Sequence, residues 1–274
     1  MIRLMKIGRP ALFGLFSRQG QAIQARQARC ERWWEPHTVN CRDYIARHLP
    51  KSKSVAVLGA GRLLDIDVDL VLSRCESAHL FDADLTAVRY WRKRFGAKYR
   101  ERLVFRHLDL TECLHQWAKG LPKRSFAEYL NQLKAPIPAW SSEPFDGYIS
   151  LNLLGQIPLY WRDRVVDLCR GLSSDEWNAL TNSMGKLQES HLKALLLDKD
   201  RWSLLLTDTE YYYYHCDQSH WRVEPAIFGR AKDLYEREFA HLSGGEAWLW
   251  HIAPQFVESD DEGEIHRVEA HFKR

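Results

Sequence analysis

The sequence predicts an α/β protein built on a mostly parallel seven-stranded sheet, with an antiparallel C-terminal strand hairpin and an N-terminal helical extension. From residue 54 onward, short apolar and β-branched runs alternate with longer amphipathic segments, which is typical of parallel strands joined by crossover helices. Near the end of the chain, two strand-like runs flank the acidic turn 258–264, and this arrangement indicates an antiparallel hairpin. The residues before 52 lack both patterns and favour helix.

The first 51 residues predict a helical layer that covers the sheet. Residues 19–32 are rich in Ala, Gln and charged side chains, a composition that favours helix. Residues 37–48 place apolar side chains at roughly helical spacing, and Pro50 closes this segment. We therefore divide the chain into an N-terminal helical extension, residues 1–51, and a sheet domain, residues 52–274.

Strands and helices are predicted to alternate along the sheet domain. The strands of its parallel part are expected at 54–58, 79–81, 103–108, 145–151 and 201–212. Helices are expected at 62–74, 85–99, 111–133 (one or two, broken by Gly120 and Pro122), 160–172 and 175–197. The terminal hairpin is expected to pair 247–252 with 266–272.

Composition limits the class of protein. Hydrophobic residues make up 45% and charged residues 27% of the 274 residues, as in soluble globular proteins that bury a sizeable core. The net charge of +3 arises from 39 basic and 36 acidic residues, so the charges nearly cancel and favour neither a nucleic acid nor a membrane as partner.

The cysteines and the apolar runs predict a reduced, cytoplasmic protein without a membrane partner. The six cysteines form no C-x-x-C pair and no short metal-ligand spacing, so we expect neither a metal site nor a disulfide framework. The apolar run 10–16 is too short for a secretory signal, and Arg18 interrupts it soon afterwards. No stretch approaches the roughly 20 apolar residues that span a bilayer.

The chemistry is predicted at the ends of successive strands. Residues 55–61, Val-Ala-Val-Leu-Gly-Ala-Gly, end a strand in a tight turn whose glycines let the backbone approach a ligand. Asp82 ends the next strand, where an acidic residue can accept hydrogen bonds from both hydroxyls of a ribose, and Asp109 ends the third. All three lie along the carboxyl edge of one parallel sheet, where open α/β folds bind their ligands.

These motifs, with Phe81-Asp-Ala-Asp84 and Phe145-Asp-Gly-Tyr-Ile-Ser-Leu-Asn152, together resemble the strand-end motifs of class I S-adenosylmethionine-dependent methyltransferases. The resemblance spans residues 52–274, terminal hairpin included, and implies a Rossmann-like fold with S-adenosyl-L-methionine as cofactor. The cofactor-binding residues that it implies are Gly59, Ala60 and Gly61 beneath the methionine part, Asp82 with Ala83 at the ribose, Asp109 with Leu110 beside the adenine, and Leu151 with Asn152 near the sulfonium and the substrate mouth.

The sequence departs from the family pattern at several positions. Val57 and Leu63 stand where the family often has an acidic residue before the glycine turn and a third glycine after it. Asp65 could meet the ammonium of the cofactor from the start of the next helix, or could be an exposed helix residue. Residues 152–155 lack the Asn/Asp-Pro-Pro-Tyr/Phe motif of methyltransferases that modify nucleobase or glutamine amides.

Methyl transfer from a sulfonium is an in-line displacement, so the protein chiefly aligns the reactants and needs at most a modest general base. Candidates for that base are Tyr211, His215 and His220, which we place at the sheet edge where an acceptor should bind. The tyrosine run 211–214 can equally alternate between the two faces of a strand as packing residues. His37 in the helical extension is a further candidate, as a lid residue.

The acceptor is expected to be a small molecule. Eight basic residues between 89 and 106 would suit a phosphate or nucleic-acid partner, but they lie mostly on one predicted surface helix, and a solvated face is the usual explanation. Trp33, Trp34, Trp202, Trp221 and the tyrosine run suggest an aromatic-lined cavity for a flat or hydrophobic acceptor.

Two other functions remain open. An NAD-binding oxidoreductase shares the glycine turn and the distal acid, but the third glycine of G-x-G-x-x-G would fall at Leu64, where a side chain crowds the pyrophosphate path. A catalytically degenerate methyltransferase-like protein would instead bind a partner through its helical extension. Hydrolase chemistry is disfavoured because the sequence contains neither G-x-S-x-G nor H-E-x-x-H.

Overall fold

The computed structural model describes residues 10–99, 101–122, 125–169, 171–216 and 221–274. Its strands are β1 (Ser52–Leu58), β2 (Cys75–Asp82), β3 (Leu103–His107), β4 (Gly147–Leu151), β5 (Trp202–His215), β6 (Trp221–Pro225), β7 (Glu246–Ala253) and β8 (Glu262–Lys273). Its helices are α1 (Pro10–Arg29), α2 (Glu31–His48), α3 (Val68–Arg74), α4 (Leu85–Phe95), α5 (Leu114–Gly120), α6 (Phe126–Gln132), α7 (Leu153–Leu168), α8 (Ser174–Leu195) and α9 (Arg230–Tyr235), with a 3₁₀ turn at Ala139–Ser142 and a π turn at Glu236–Ala240.

The strand order is β3-β2-β1-β4-β5-β8-β7. Strands β1 to β5 are mutually parallel along this path, whereas β8 is antiparallel to β5 and β7 is antiparallel to β8. The chain runs outward from β1 to β3 and then returns to β4 on the other side of β1, which creates a topological switch point between β1 and β4. This topology confirms the predicted Rossmann-like α/β fold with its antiparallel C-terminal hairpin and N-terminal helices.

An eighth strand, β6, is added to the seven predicted ones. Strand β5 continues to His215, beyond the predicted end at residue 212, and β6 pairs antiparallel with residues Glu210 to Tyr214 while β8 pairs with the other edge. The alternation of Trp221 and Val223 with charged residues is the signal for this strand, but the run is only five residues long.

The helix predicted at 62–74 is wrong in its first half, because residues 62–67 form a loop and α3 begins at Val68. Leu63 has φ +60°, a left-handed backbone that cannot belong to a right-handed helix. Asp67 supplies the start signal, since its carboxylate accepts hydrogen bonds from the N–H groups of Asp69 (2.9 Å) and Leu70 (3.3 Å).

The sheet is buried on both faces. Val55 and Val57 of β1 point into one apolar cluster, and Ala56 and Leu58 point into another, as the two-residue period of a strand requires. Helix α2 contributes Tyr44, among others, to the first cluster, so the extension shares a core with the sheet. The division at residues 51 and 52 stays a prediction. Across the described ranges, none of the helices combines the length and hydrophobicity that a membrane span requires.

Candidate functional site

A cavity of about 280 Å³ lies at the carboxyl ends of the parallel strands, beside the switch point between β1 and β4. Its volume is close to the lower end of small-ligand pockets, roughly 300–1,000 Å³. The strand ends form one side and α1 forms the opposite side. Seven of the predicted cofactor-binding residues line it: Gly59, Gly61, Asp82, Ala83, Asp109, Leu110 and Leu151.

The turn after β1 brings main chain to the cavity. Gly59 and Gly61 have φ +70° and +49°, a conformation that glycine adopts without the strain a side chain would cause. A Cβ on Gly59 would lie 3.1 Å from the carbonyl oxygen of Leu151, whereas a Cβ on Gly61 would meet no protein atom within 4 Å. Gly59 therefore allows close packing of two strand ends, and Gly61 leaves its space to the cavity. Ala60 between them is buried and does not line it.

Asp82 faces this turn from the end of β2. Its Oδ2 accepts a hydrogen bond from the N–H of Gly61 at 2.7 Å, and its Oδ1 accepts one from the N–H of Asp84 at 2.7 Å. Burial raises the pKa of Asp82 to about 6, although these backbone donors oppose the shift. Each carboxylate oxygen can accept a second hydrogen bond, so an oriented acceptor pair remains for the hydroxyls of a ligand.

Two further carboxylates border the cavity. The Oδ1 of Asp109 accepts hydrogen bonds from the N–H (3.0 Å) and the hydroxyl (2.8 Å) of Thr111, and burial raises the pKa of Asp109. Asp84 caps α4 by accepting from the N–H of Thr86 at 2.8 Å and from its hydroxyl at 2.7 Å. These bonds fix both side chains before any ligand is bound.

Helix α1 lies across the cavity, which the sequence did not reveal. Phe16, Gln19, Gly20 and Ile23 are among its lining residues. Gly20 is in close contact with Asp84, because a Cβ at Gly20 would lie 2.1 Å from the Oδ2 of that residue. A glycine inside a helical segment was the available signal, since helix interiors disfavour glycine unless another group needs the space.

Asn152 is buried and, unlike its neighbour Leu151, does not line the cavity. It has φ +47°, and its Nδ2 donates a hydrogen bond to the Oδ2 of Asp65 at 3.0 Å. Asp65 stands in the loop before α3, so the expectation that it lies on a helix is wrong. Asp65 does not line the cavity either.

His37 joins this group from α2. The indole N–H of Trp248 donates to its Nδ1 at 3.0 Å, and the ring of Trp250 stacks on the imidazole at 4.0 Å. Its Nε2 lies 3.2 Å from the Nδ2 of Asn152 and 3.5 Å from the Oδ1 of Asp65.

The ligand atoms of His37, Cys41 and Asp65 lie within 4.8 Å of one another, although their sequence spacing suggested no metal site. A metal ion on the Nε2 of His37 would force the proton onto Nδ1, where it would oppose the N–H of Trp248. The donor at Nδ1 therefore favours a hydrogen-bonded structural cluster over a metal centre.

The candidate bases Tyr211 and His215 do not line the cavity, and His220 lies outside the described residues. The hydroxyl of Tyr211 donates to the carbonyl oxygen of Gly155 at 3.0 Å, and burial raises the pKa of this phenol. At about 3.3 Å per residue, β5 carries His215 roughly 30 Å past Leu206, which pairs with Leu151 at the cavity. We expected both residues at the sheet edge because the fifth strand was predicted to end at residue 212, whereas β5 continues to His215.

His215 lies beside Cys216 and Asp261, and the ligand atoms of this exposed group also lie within 4.8 Å of one another. Folding brings Asp261 beside the adjacent residues His215 and Cys216.

The aromatic and basic residues singled out in the sequence contact other parts of the protein. The indoles of Trp34 and Trp202 are buried and donate to the carbonyl of Ile252 and the hydroxyl of Ser52, each at 3.0 Å. Neither they nor Trp33 and Trp221 line the cavity. Of the basic residues, Lys98 pairs with Asp69 (2.7 Å), Arg106 pairs with Glu143 (3.3 Å), and Arg102 donates to the carbonyl oxygens of Cys75 and Glu76 (2.9 Å each).

No protein-family model and no curated protein matches the sequence. Several solved structures are similar in fold. N-methyltransferase NodS from Bradyrhizobium japonicum WM9 in complex with S-adenosyl-L-homocysteine is 10% identical over 91% of this chain and 96% of that chain, with a TM-score of 0.41. The DhpI complex with SAM and HEP is 11% identical over 93% and 97% of the two chains, with a TM-score of 0.36. An rRNA methylase from Streptococcus thermophilus is 11% identical over 85% and 93%, with a TM-score of 0.33. Likeness this distant does not bear on what the cavity binds, because one fold serves many functions.

Proposed function

We propose that this chain binds S-adenosyl-L-methionine in the cavity beside β1 and transfers its methyl group by direct displacement to a small-molecule acceptor. One observation carries the proposal: the turn at Gly59 and Gly61 and the carboxylate of Asp82, joined by the 2.7 Å hydrogen bond from the N–H of Gly61, together line a cavity that Asp109 also lines. This arrangement provides backbone without side chains at the turn, two hydrogen-bond acceptors for the ribose hydroxyls and a second polar group at Asp109, as an adenosine requires.

The lining residues fit such a cofactor part by part. Asp82 would accept from the ribose hydroxyls, and Asp109 with Leu110 would border the adenine. Bound S-adenosylmethionine supplies an electrophilic methyl group on a sulfonium. Leu151, Leu153 and the apolar residues of α1 would exclude water from the reacting end, and the strand ends would hold the acceptor in line with the methyl group.

The start of α3 disfavours an NAD-binding function. A dinucleotide places its pyrophosphate on the N-terminus of the helix that follows the glycine turn. Here that helix begins only at Val68, and the carboxylate of Asp67 already accepts from its first free N–H groups. A negative charge at this position would repel a phosphate.

A small acceptor is supported by how the cavity is covered. Helix α1 lies across it, and the hydrogen bond from the Nε2 of Gln19 to the Oδ2 of Asp163 (3.1 Å) ties α1 to α7. A folded macromolecule would have to displace that helix before reaching the methyl group.

Calorimetric titration with S-adenosylhomocysteine tests the proposal. We expect the folded protein to bind this ligand and the variant Asp82→Asn to bind it about 10- to 150-fold more weakly, because a hydrogen bond to a charged group contributes about 1.5–3 kcal/mol. Asp69→Asn is the matched control, since Asp69 is an exposed carboxylate that pairs with Lys98 on the surface.

The proposal would be contradicted if the protein did not bind S-adenosylhomocysteine at millimolar concentration, or if the two variants lost the same affinity. Binding of NADH instead of S-adenosylhomocysteine would support the oxidoreductase. The acceptor class is tested by transfer of a radiolabelled methyl group to the low-molecular-weight fraction of a cell extract. Label found only in the macromolecular fraction would exclude a small acceptor.

A further inference from the structure

The cavity is unevenly charged. Among the described residues that line it, three side chains are carboxylates, those of Asp82, Asp84 and Asp109, and one, that of Arg62, is cationic. Arg62 directly follows Gly61 in the loop that leaves β1. In a ligand with a sugar and an anionic end, the anionic end would therefore be repelled by the carboxylates and attracted by this arginine.

Arg62 is not neutralised by its neighbours. In the described part of the chain, its Nε is buried and has no hydrogen-bond partner, and no ion pair involves its guanidinium. The guanidinium carbon lies 5.0 Å from the centre of the Tyr90 ring, a cation–π contact that uses none of its N–H donors. A buried donor without a partner is destabilising, and more so on a charged group.

Within the described residues, none of the three lining carboxylates forms an ion pair with Arg62, and each is oriented by other donors. Both oxygens of Asp82 accept from backbone N–H groups, and both oxygens of Asp84 accept from Thr86. The guanidinium is thus an oriented fork of donors on the wall of a cavity, an arrangement that binds a planar carboxylate through two parallel hydrogen bonds.

We propose that Arg62 binds the α-carboxylate at the amino-acid end of the cofactor. This inference rests on the proposed function. The uncharged ribose hydroxyls contact Asp82, and the negatively charged carboxylate contacts Arg62, the cationic side chain among the described lining residues. The amino-acid end consequently lies over the loop that begins at Gly61.

The test compares three ligands. S-adenosylhomocysteine has the complete amino-acid end, decarboxylated S-adenosylmethionine keeps the ammonium but lacks the carboxylate, and 5′-methylthioadenosine lacks the whole amino-acid end. Each is titrated against the unmodified protein, Arg62→Gln, Arg62→Lys and Arg89→Gln. The last is the control, because Arg89 is an exposed arginine outside the lining.

We expect Arg62→Gln to weaken S-adenosylhomocysteine binding about 10- to 150-fold, the effect of losing hydrogen bonds to a charged group. Affinity for the other two ligands should be unchanged, which also shows that the variant still folds its adenosine site. Arg62→Lys should weaken S-adenosylhomocysteine binding less than Arg62→Gln does, since an ammonium keeps the charge but not the geometry for two parallel hydrogen bonds. Arg89→Gln should change nothing.

Equal weakening of all three ligands, or no weakening of S-adenosylhomocysteine, would overturn the role of Arg62 while leaving the proposed function intact. If the unmodified protein binds none of the three, the proposed function fails and this inference fails with it. If it binds NADH and Arg62→Gln abolishes that binding, the guanidinium serves a phosphate, which overturns the carboxylate assignment.

Discussion

The carboxylate of Asp82 is oriented by two backbone N–H groups, each 2.7 Å from one of its oxygens. A carboxylate held in this way must be ionised to accept two more hydrogen bonds from a ribose, because protonation turns one oxygen into a donor. Burial raises its pKa to about 6, so this ionisation changes within an accessible pH range.

We predict that affinity for S-adenosylhomocysteine is constant above the pKa of Asp82 and falls as the pH drops below about 6, by about tenfold per pH unit. The sign follows from the ionised form being the one that binds. Calorimetric titrations across this range measure the effect, and Asp82→Asn should remove the pH dependence together with most of the affinity. A profile that stays flat in the unmodified protein would show that this carboxylate does not hold the ligand.

Helix α1 covers the proposed cofactor site because it contains glycine where it crosses Asp84. A Cβ at position 20 would lie 2.1 Å from the Oδ2 of Asp84, and the hydrogen bonds from Thr86 keep that carboxylate in place. At its other end, α1 is held by Arg29, whose Nε lies 2.6 Å from the Oε1 of Glu258. The contact at Gly20 therefore decides whether α1 can lie flat against the cavity.

We predict that Gly20→Ala weakens binding of S-adenosylhomocysteine and increases backbone hydrogen exchange in α1. Inserting a methyl group into a close contact costs about 1–3 kcal/mol, which corresponds to roughly 5- to 150-fold in affinity. Gly14→Ala in the same helix is the control, because a Cβ there meets no protein atom within 4 Å. Both changes raise helix propensity by about 1 kcal/mol, so a loss shared by both variants would refute a specific role for the contact with Asp84.

Across the whole molecule, the parallel sheet and the C-terminal hairpin are joined by a buried charged group. His266 on β8 places its Nδ1 3.3 Å from the Oδ2 of Asp208 on β5 and its Nε2 3.0 Å from the Oε1 of Glu264. Burial alone would lower the pKa of this imidazole, but the two carboxylates outweigh burial and raise it to about 9. The centres of the Tyr211 and Trp250 rings lie 4.4 and 5.5 Å from the centre of the imidazole.

We predict that the free energy of unfolding declines as the pH rises from 6.5 to about 9. The folded pKa of His266 lies above its unfolded value, so its contribution is complete below pH 6.5 and is lost as the pH passes about 9. The shift corresponds to about 3 kcal/mol. Denaturant unfolding at several pH values measures the decline, and His266→Gln should flatten it. Equal slopes in the two proteins would mean that this histidine is not charged in the fold.

The sequence by itself determined the strand-end side of the cavity. The glycine turn at 59–61 and the acids at 82 and 109 each directly follow a strand, and parallel strands bring their carboxyl ends to one edge. Such features depend on local backbone geometry and on strand direction, so the alternating pattern was sufficient to place them. Their assignment to parts of a cofactor remains a prediction.

Only the tertiary structure decided what faces that edge. The contact of Gly20 with Asp84, the bond from Asn152 to Asp65 and the Trp248 donor to His37 join segments far apart in the chain. Local sequence contains no information on such pairs, because they form only when separate elements pack together. For the same reason, the positions of Tyr211 and His215 depended on how far β5 continues once β6 and β8 pair with it, which is settled by strand pairing and not by the tyrosine run itself.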